Sequence, residues 1–344
     1  MRANHFDALR LLFALFVLVT HAYVLSGSTE GDVLQRITHQ QLAFSWIGVR
    51  GFFVISGFLV FQSLQRSPDL VAFIGKRLSR VMPALIVLIV ITVFVLGPLA
   101  TTLNAATYLH AQGTWQYLAI PITVFLGQVP YSLPGVFNGL PHAHIVNGSL
   151  WTIGYELLCY AFTAACFLLK RRPVALRTAL AVLFFVITAL RIGIDTNALS
   201  VPGSLPFTAF TWKSVIDLSV FYLAGSLASA LELQRWLGGW RVLAAVACAL
   251  LIALAFSCYN LLESALLPIL VLALAHLKGI PSFPSWGRGD ISYGTYLYGY
   301  PVQQSIVLMA PTSPAMLLAL SVPIACAFGL ASWHFIERRF LPKR

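Results

Sequence analysis

At 344 residues, 59% hydrophobic and only 10% charged, with a mean hydropathy of +0.84, the chain is too apolar for a soluble globular domain. A formal net charge of +11 would suit nucleic-acid binding, but the basic residues sit in short segments between apolar runs of about 17 to 24 residues, the pattern of helical membrane spans. No nucleic-acid partner is expected, and the ten-residue alternation of an outer-membrane barrel is absent from the sequence.

The runs predict an all-α, polytopic membrane protein with about ten transmembrane helices, at 9–27, 44–65, 82–104, 149–169, 174–193, 211–231, 241–258, 261–277, 291–310 and 314–336. With a cytoplasmic amino terminus, the inner segments collect all but Arg36, Arg50, Arg191 and Lys213 of the 22 basic residues, from Arg2 and Arg66 to Arg288, Lys343 and Arg344. The positive-inside rule then puts both termini in the cytoplasm. The expectation is a single integral-membrane domain over 1–344 (core about 3–336), multi-pass in the cell inner membrane and in contact with its lipids.

The first run carries Arg10 and His21 eleven residues apart. At about 100° per residue that step is three turns plus about 20°, so both lie on one helix face, about 16 Å apart. Asp7, Ala14 and Val17 share the stripe. Arg10 is expected at one interface and His21 near mid-bilayer, where an ionisable group is costly and usually functional. Arg2 and Arg10 before an apolar run resemble a secretory signal, but there is no clear A-x-A site, so the helix is expected to be retained.

Residues 66–82 read as the most basic inner loop, with Lys76, Arg77 and Arg80 before Pro83. Arg77 and Arg80, three apart, present two guanidinium groups to one side, as a lipid anchor or as a site for a phosphorylated cytoplasmic ligand. Residues 105–148, rich in Pro, Gly and aromatics, are expected to form an outer loop with a re-entrant or interfacial segment that covers a cavity from outside. His142 and His144 lie in it without a Cys or carboxylate at ligand spacing, so no metal site is expected.

The fourth span holds a second intramembrane ionisable residue, Glu156. Thr152, Glu156, Tyr160 and Thr163 follow four-, four- and three-residue steps along one polar face. A carboxylate beside an imidazole would orient it and raise its basicity, as a general base needs. Lys213 and Asp217, four apart, read as a structural ion pair. The five cysteines all fall inside apolar runs and read as buried, inert thiols. Tyr293, Tyr296, Tyr298 and Tyr300 open the ninth span as interfacial or cavity-lining aromatics.

Taken together, these residues resemble the acyltransferase-3 family of bacterial membrane O-acyltransferases. The matching elements are Asp7-Ala-Leu-Arg10-(ten)-His21, Gly48 through Phe58, Arg77-x-x-Arg80-x-x-Pro83, Ser149-Leu-Trp151-Thr152-(three)-Glu156, Ile291-Ser-Tyr293 through Pro301, and Phe335-Ile-Glu337-Arg338. They stand in family order over nearly the whole chain. The resemblance implies transfer of an acyl group, usually acetyl, from cytoplasmic acyl-CoA to a hydroxyl of a carbohydrate or lipid-linked glycan, with acyl-CoA as cosubstrate and no tightly bound cofactor.

It also implies site residues: His21, Arg10 and Glu156 as the catalytic set and Arg77, Arg80 and Lys76 toward acyl-CoA. Asp7, Ser149, Trp151, Thr152, Tyr155, Tyr293 and Tyr296 would line the substrate cavity. His21 would act as general base on the acceptor hydroxyl, or carry the acyl group as an acyl-histidine. Gly299 stands where relatives often have a second histidine, and Arg339 where they often have proline, so no role for a second histidine transfers. No SGNH-type domain follows the last span, so transfer is expected to finish within the membrane domain or with a separate partner. The competing reading is a proton-coupled secondary transporter of a carbohydrate or acidic solute, with His21 and Glu156 as the relay.

Overall fold

Every apolar run folds as a helix: α1 (Phe6–Leu25), α2 (Phe44–Arg66), α3 (Leu70–Ile91), α4 (Trp151–Ala165), α5 (Pro173–Asp195), α6 (Trp212–Ala230), α7 (Trp240–Ala255), α8 (Tyr259–Ala275), α9 (Ser292–Met309) and α10 (Pro314–Ser332). The structure, a computed structural model, describes residues 5–278 and 289–341; Arg2, Arg288, Lys343 and Arg344, counted above among the inner basic residues, lie outside the described residues. Among the described residues only isolated bridges, Thr101–Val136 and Ser204–Thr211, interrupt the all-helical architecture. Six helical runs are long and apolar enough to cross a membrane: α1, α2, Leu70–Ala100, Trp151–Leu169, α5 and Pro314–Phe340. The chain is thus a multi-pass membrane protein.

The ends of the helices follow from local chemistry. Gly27, at φ +78°, takes up the left-handed turn that stops α1, while Ser26 N–H still bonds back to Ala22 O. His21 therefore stands about one turn from the end of α1, not near its middle as the expected 9–27 span implied. The stretch 66–82 is also not a loop. Pro68 holds Ser67 extended, ending α2, and the Asp69 carboxylate caps the next helix by accepting from Ala72 N–H at 2.7 Å. Lys76, Arg77 and Arg80 consequently lie on the first three turns of α3. Farther along, α3 passes into a π-helical turn at Thr92–Leu96, where the buried Tyr108 hydroxyl donates to the Val93 carbonyl at 2.8 Å.

Small residues let the central helices meet backbone to backbone, the usual solution where lipid supplies no hydrophobic drive between helices. A side chain on Gly57 of α2 would run into the backbone of Tyr222 on α6, and one on Gly225 into that of Val54. Ser226 Oγ donates to Gly57 O at 3.2 Å across the same crossing. On the other side of α1, Leu18 fills the space at Gly299 of α9, and Gln303 Nε2 donates to Leu18 O at 3.0 Å.

A buried ionic network ties α2, α5, α6 and α8. Asp217 accepts from Arg50 at 3.1 Å and Arg191 at 2.8 Å; Glu263 accepts from the same two residues at 2.6 and 2.9 Å. The expected Lys213–Asp217 pair is therefore not made: two better-placed guanidinium groups take the carboxylate, and Lys213 forms no ion pair among the described residues. Of the five cysteines expected to be buried, Cys159 and Cys166 are, Cys258 and Cys326 are half-buried, and Cys248 is exposed on α7.

Residues 105–148 form three short helices, Ala105–His110, Gln112–Leu118 and Ile120–Thr123, followed by irregular chain. Tyr108, Tyr117, Val136 and Phe137 anchor this segment in the core. Its last part lies against α1 and α9: Gln304 Nε2 donates to the carbonyls of His142 (2.9 Å) and Ile145 (2.8 Å), and Asn147 Nδ2 to Leu297 O at 2.9 Å.

Candidate active site

One face each of α1, α2, α3, α4 and α9 encloses a cavity of about 900 Å³, within the range of small-molecule sites. Its α1 wall is Asp7 and Arg10, its α3 wall Lys76, Arg77 and Arg80, and its α4 wall Thr152, Glu156 and Tyr160. Tyr293 and Tyr296 of α9 complete it, and Trp333, Arg338 and Leu341 flank the Arg10 end. The cap at Asp69 fixes this arrangement: α3 starts early enough to aim all three of its cations inward.

The basic residues divide into two groups. Asp290, immediately before α9, accepts from Arg10 at 3.0 Å and pairs with Arg80, and the Ser292 N–H (3.1 Å) and hydroxyl close around its other oxygen. Burial alone would raise the Asp290 carboxyl, but the charges of Arg80 and Arg10 outweigh it and hold it at about 2. Arg80 also lies 3.6 Å from Glu337, which a π-helical turn at Trp333–Glu337 presents and which accepts from Ser332 Oγ at 2.9 Å. Arg80 is thus committed to two carboxylates and braces α3 against α9 and the end of α10. Arg77, by contrast, makes one 3.3 Å bond to Ser63 Oγ and keeps a buried Nε without a partner; neither Lys76 nor Arg338 forms an ion pair among the described residues. Those three are the cations available to an anionic ligand.

Deeper in, Glu156 accepts from the Tyr160 hydroxyl and from Ser56 Oγ at 3.3 Å. The polar face read along α4 is present, with Thr163 at its far end bonded to the Tyr222 hydroxyl at 2.7 Å. The cavity ends where the Tyr296 hydroxyl meets Thr152 Oγ1 at 2.7 Å and Ser149 O at 3.0 Å. Above Arg10, Ala14 and Val17 pack on Tyr296. His21 follows one turn beyond, its ring edge-on to Tyr300 with centroids 4.9 Å apart.

The structure therefore does not bring Glu156 against His21; a layer of Tyr296, Val17 and Thr152 lies between their levels. Around His21, several buried polar atoms have no partner among the described residues: His21 Nδ1, the Tyr300 hydroxyl, Ser149 Oγ and Gln304 Oε1. Tyr300 joins them, since it touches His21, packs beside Gly148 and stands one turn before Gln304. Buried polar groups are nearly always satisfied, so such a cluster marks a place for a ligand or water.

Of the other residues expected in the cavity, Trp151 lines a second one, described below. Tyr155 serves packing: it stacks edge-on with Trp151 and Phe210, and its hydroxyl accepts from Thr211 N–H at 3.0 Å. Ser149 contributes its carbonyl to Tyr296 and not a cavity wall. Sequence reasoning missed Asp290; it carried Ser56 only inside the Gly48–Phe58 motif and Tyr300 only as an interfacial or cavity-lining aromatic. Tyr160 and Glu337 carried readable signals, the first in the polar stripe and the second in the terminal motif.

The family model described as "Acyltransferase domain" of the acyltransferase-3 group matches residues 4–334. The chain is 30% identical to a protein named "O-acetyl transferase" from Shigella phage Sf6, over 99% of this chain and 97% of that protein. It is also 30% identical to "Nodulation protein 10" of Rhizobium leguminosarum bv. viciae, over 97% of this chain and 92% of that protein. No solved structure matches it at a significant level. A full-length family match, laid over a cavity built from the family's own motif residues, makes this chain a member of the acyltransferase-3 family.

Proposed function

We propose that the protein is a membrane O-acyltransferase, specifically an O-acetyltransferase, that moves an acyl group from acyl-CoA to a hydroxyl of a cell-envelope or exported carbohydrate. The observation that carries this reading is the cavity of about 900 Å³ with uncommitted cations at one end and a polar, tyrosine-lined end at Tyr296 and Thr152, with His21 one turn beyond the Val17–Tyr296 layer that closes it. In this reading ten helices cross the inner membrane with both termini cytoplasmic, so the Arg10 end faces the cytoplasm, where acyl-CoA is found. Arg77, Lys76 and Arg338 hold its phosphates. Arg10 and Arg80, locked on Asp290, shape the entrance, and the pantetheine arm runs past Glu156 toward Tyr296.

At the inner end, His21 takes the proton of the acceptor hydroxyl as its oxygen attacks the thioester carbonyl. The C–S bond breaks, the O-acyl ester forms, and the CoA thiolate leaves and is protonated. An acyl-histidine route would use the same residue as nucleophile and then pass the acyl group to the acceptor. Passage from the cavity to His21 requires Tyr296 to leave Thr152. The transporter reading has no specific contact in its favour, because Glu156 bonds to Tyr160 and Ser56 and not to His21.

Titration of acetyl-CoA into the purified protein tests the donor site. Acetyl-CoA binds with micromolar affinity, and Arg77→Ala weakens it by roughly tenfold, the size of one charge-assisted phosphate contact. Unchanged affinity in Arg77→Ala would remove this cavity as the donor site.

A further inference from the structure

A second cavity, of about 360 Å³, opens between α2, α4, α5 and α6, lined by the indoles of Trp46 and Trp151. We infer that it is a carbohydrate-binding subsite for a neutral pyranose unit of the acceptor glycan. The inference rests on the acyltransferase reading for its purpose, and on the cavity itself for its chemistry.

Two features give the ligand class. Trp46 is 40% exposed and Trp151 half-buried, and neither indole N–H has a hydrogen-bond partner among the described residues. Two indoles in a small cavity offer flat apolar faces for the C–H side of a sugar ring, with N–H donors at the edge for its hydroxyls. Around them the side chains of Lys213, Ser214 and Asn260 also line the cavity and make no hydrogen bond among the described residues. Such a mixture of aromatic faces and unengaged polar tips suits a hydroxyl-rich ring better than a lipid tail.

Charge selects among sugars. The floor is the network described above, in which Arg50 and Arg191 are matched by Asp217 and Glu263, with Asp195 3.7 Å from Arg191. Lys213 balances Asp195, so the lining taken with the buried Glu263 behind it carries no net charge and gives an anionic glycan little advantage. The network also stiffens the site: the Arg50 guanidinium lies 5.9 Å from the Trp46 ring centroid, fixing that indole over the cavity.

Position gives the site its purpose. Val49 and Thr152 line the donor cavity, while the next residue on α2, Arg50, and the preceding one on α4, Trp151, line this one. The two cavities are back to back across a wall one residue thick on each helix. Trp46 also stands level with the His21 turn, since the adjacent Ser45 N–H donates to Thr20 Oγ1 at 2.9 Å. A glycan unit held on Trp46 and Trp151 extends its neighbouring unit toward the place where the donor cavity ends.

Isothermal titration calorimetry of the detergent-solubilised protein tests this, with neutral tetrasaccharides of glucose, galactose, rhamnose and N-acetylglucosamine, and with tetragalacturonate as the anionic probe. At least one neutral tetrasaccharide binds. Trp46→Ala and Lys213→Ala/Asn260→Ala each weaken it by tenfold or more, while acetyl-CoA still binds both variants. In Arg77→Ala the pattern reverses: acetyl-CoA binding weakens by roughly tenfold and the sugar is retained at full affinity. Binding only of tetragalacturonate, no neutral binding, or neutral binding indifferent to both cavity variants overturns the subsite. Sugar binding in a wild-type protein that ignores acetyl-CoA would instead sink the acyltransferase reading and leave the subsite standing.

Discussion

Asp290→Asn tests the ionic joint that shapes the entrance to the donor cavity. Asp290 is buried between Arg10 and Arg80, and removing its charge leaves two guanidinium groups facing each other across the gap. A carboxyl held at about 2 instead of its ordinary 3.8 corresponds to about 2 kcal/mol of stabilisation. Breaking a fully buried ion pair costs roughly 3–5 kcal/mol. The smaller figure applies here, because the arginine side chains keep 21% and 19% of their surface and Arg80 retains Glu337 at 3.6 Å. The sign follows from the depressed value: the contribution is present above pH 3.8 and is lost as pH falls toward about 2, so it does not vary between pH 5 and 8. Equilibrium unfolding in mixed micelles with increasing SDS reads it directly. Asp290→Asn shifts the equilibrium by roughly thirtyfold, and Arg10→Gln in the same background costs less than it does alone. A shift below about 0.5 kcal/mol, or strict additivity of the two substitutions, would refute the joint.

The other predictions concern chemistry and packing. His21→Ala abolishes acyl transfer, with the fold and acetyl-CoA affinity retained, as measured by turnover of labelled acetyl-CoA alongside calorimetry; an active His21→Ala protein would remove the general-base and acyl-histidine roles together. Gly57→Ala forces a methyl group into the backbone of Tyr222 and destabilises the α2–α6 crossing by several kcal/mol, an overpacking cost at the upper end of the usual range, read as loss of folded protein in SDS titration. Tyr296→Phe removes the hydroxyl that bonds Thr152 and Ser149, loosening the end of the donor cavity; it changes kcat more than the KM for acetyl-CoA, and an unchanged kcat would show that this contact does not limit passage.

Helix positions were legible because hydropathy and length report them directly. Arg10, Glu156, Tyr160 and Thr152 could be placed on cavity faces because helical periodicity converts spacing into direction. What failed were readings that depended on ends and partners. Asp69 as a cap turned the expected 66–82 loop into helix, and Gly27 moved His21 from mid-span to the last turns of α1. Asp217 illustrates competition: spacing offered Lys213, but Arg50 and Arg191 arrive from other helices with better geometry. Asp290 gave no signal at all, since its partners lie 280 and 210 residues away in the chain. Side-chain partnerships between distant segments are set by helix packing, and no local pattern encodes them.

Transfer itself tests the central claim most directly. Purified protein in proteoliposomes, given [14C]acetyl-CoA and a de-O-acetylated envelope glycan from a strain that expresses the protein, should place label on the glycan in an alkali-labile ester. His21→Ala should place none. Label that stays on acetyl-CoA in the wild-type reaction, or label transferred equally by His21→Ala, would contradict the account.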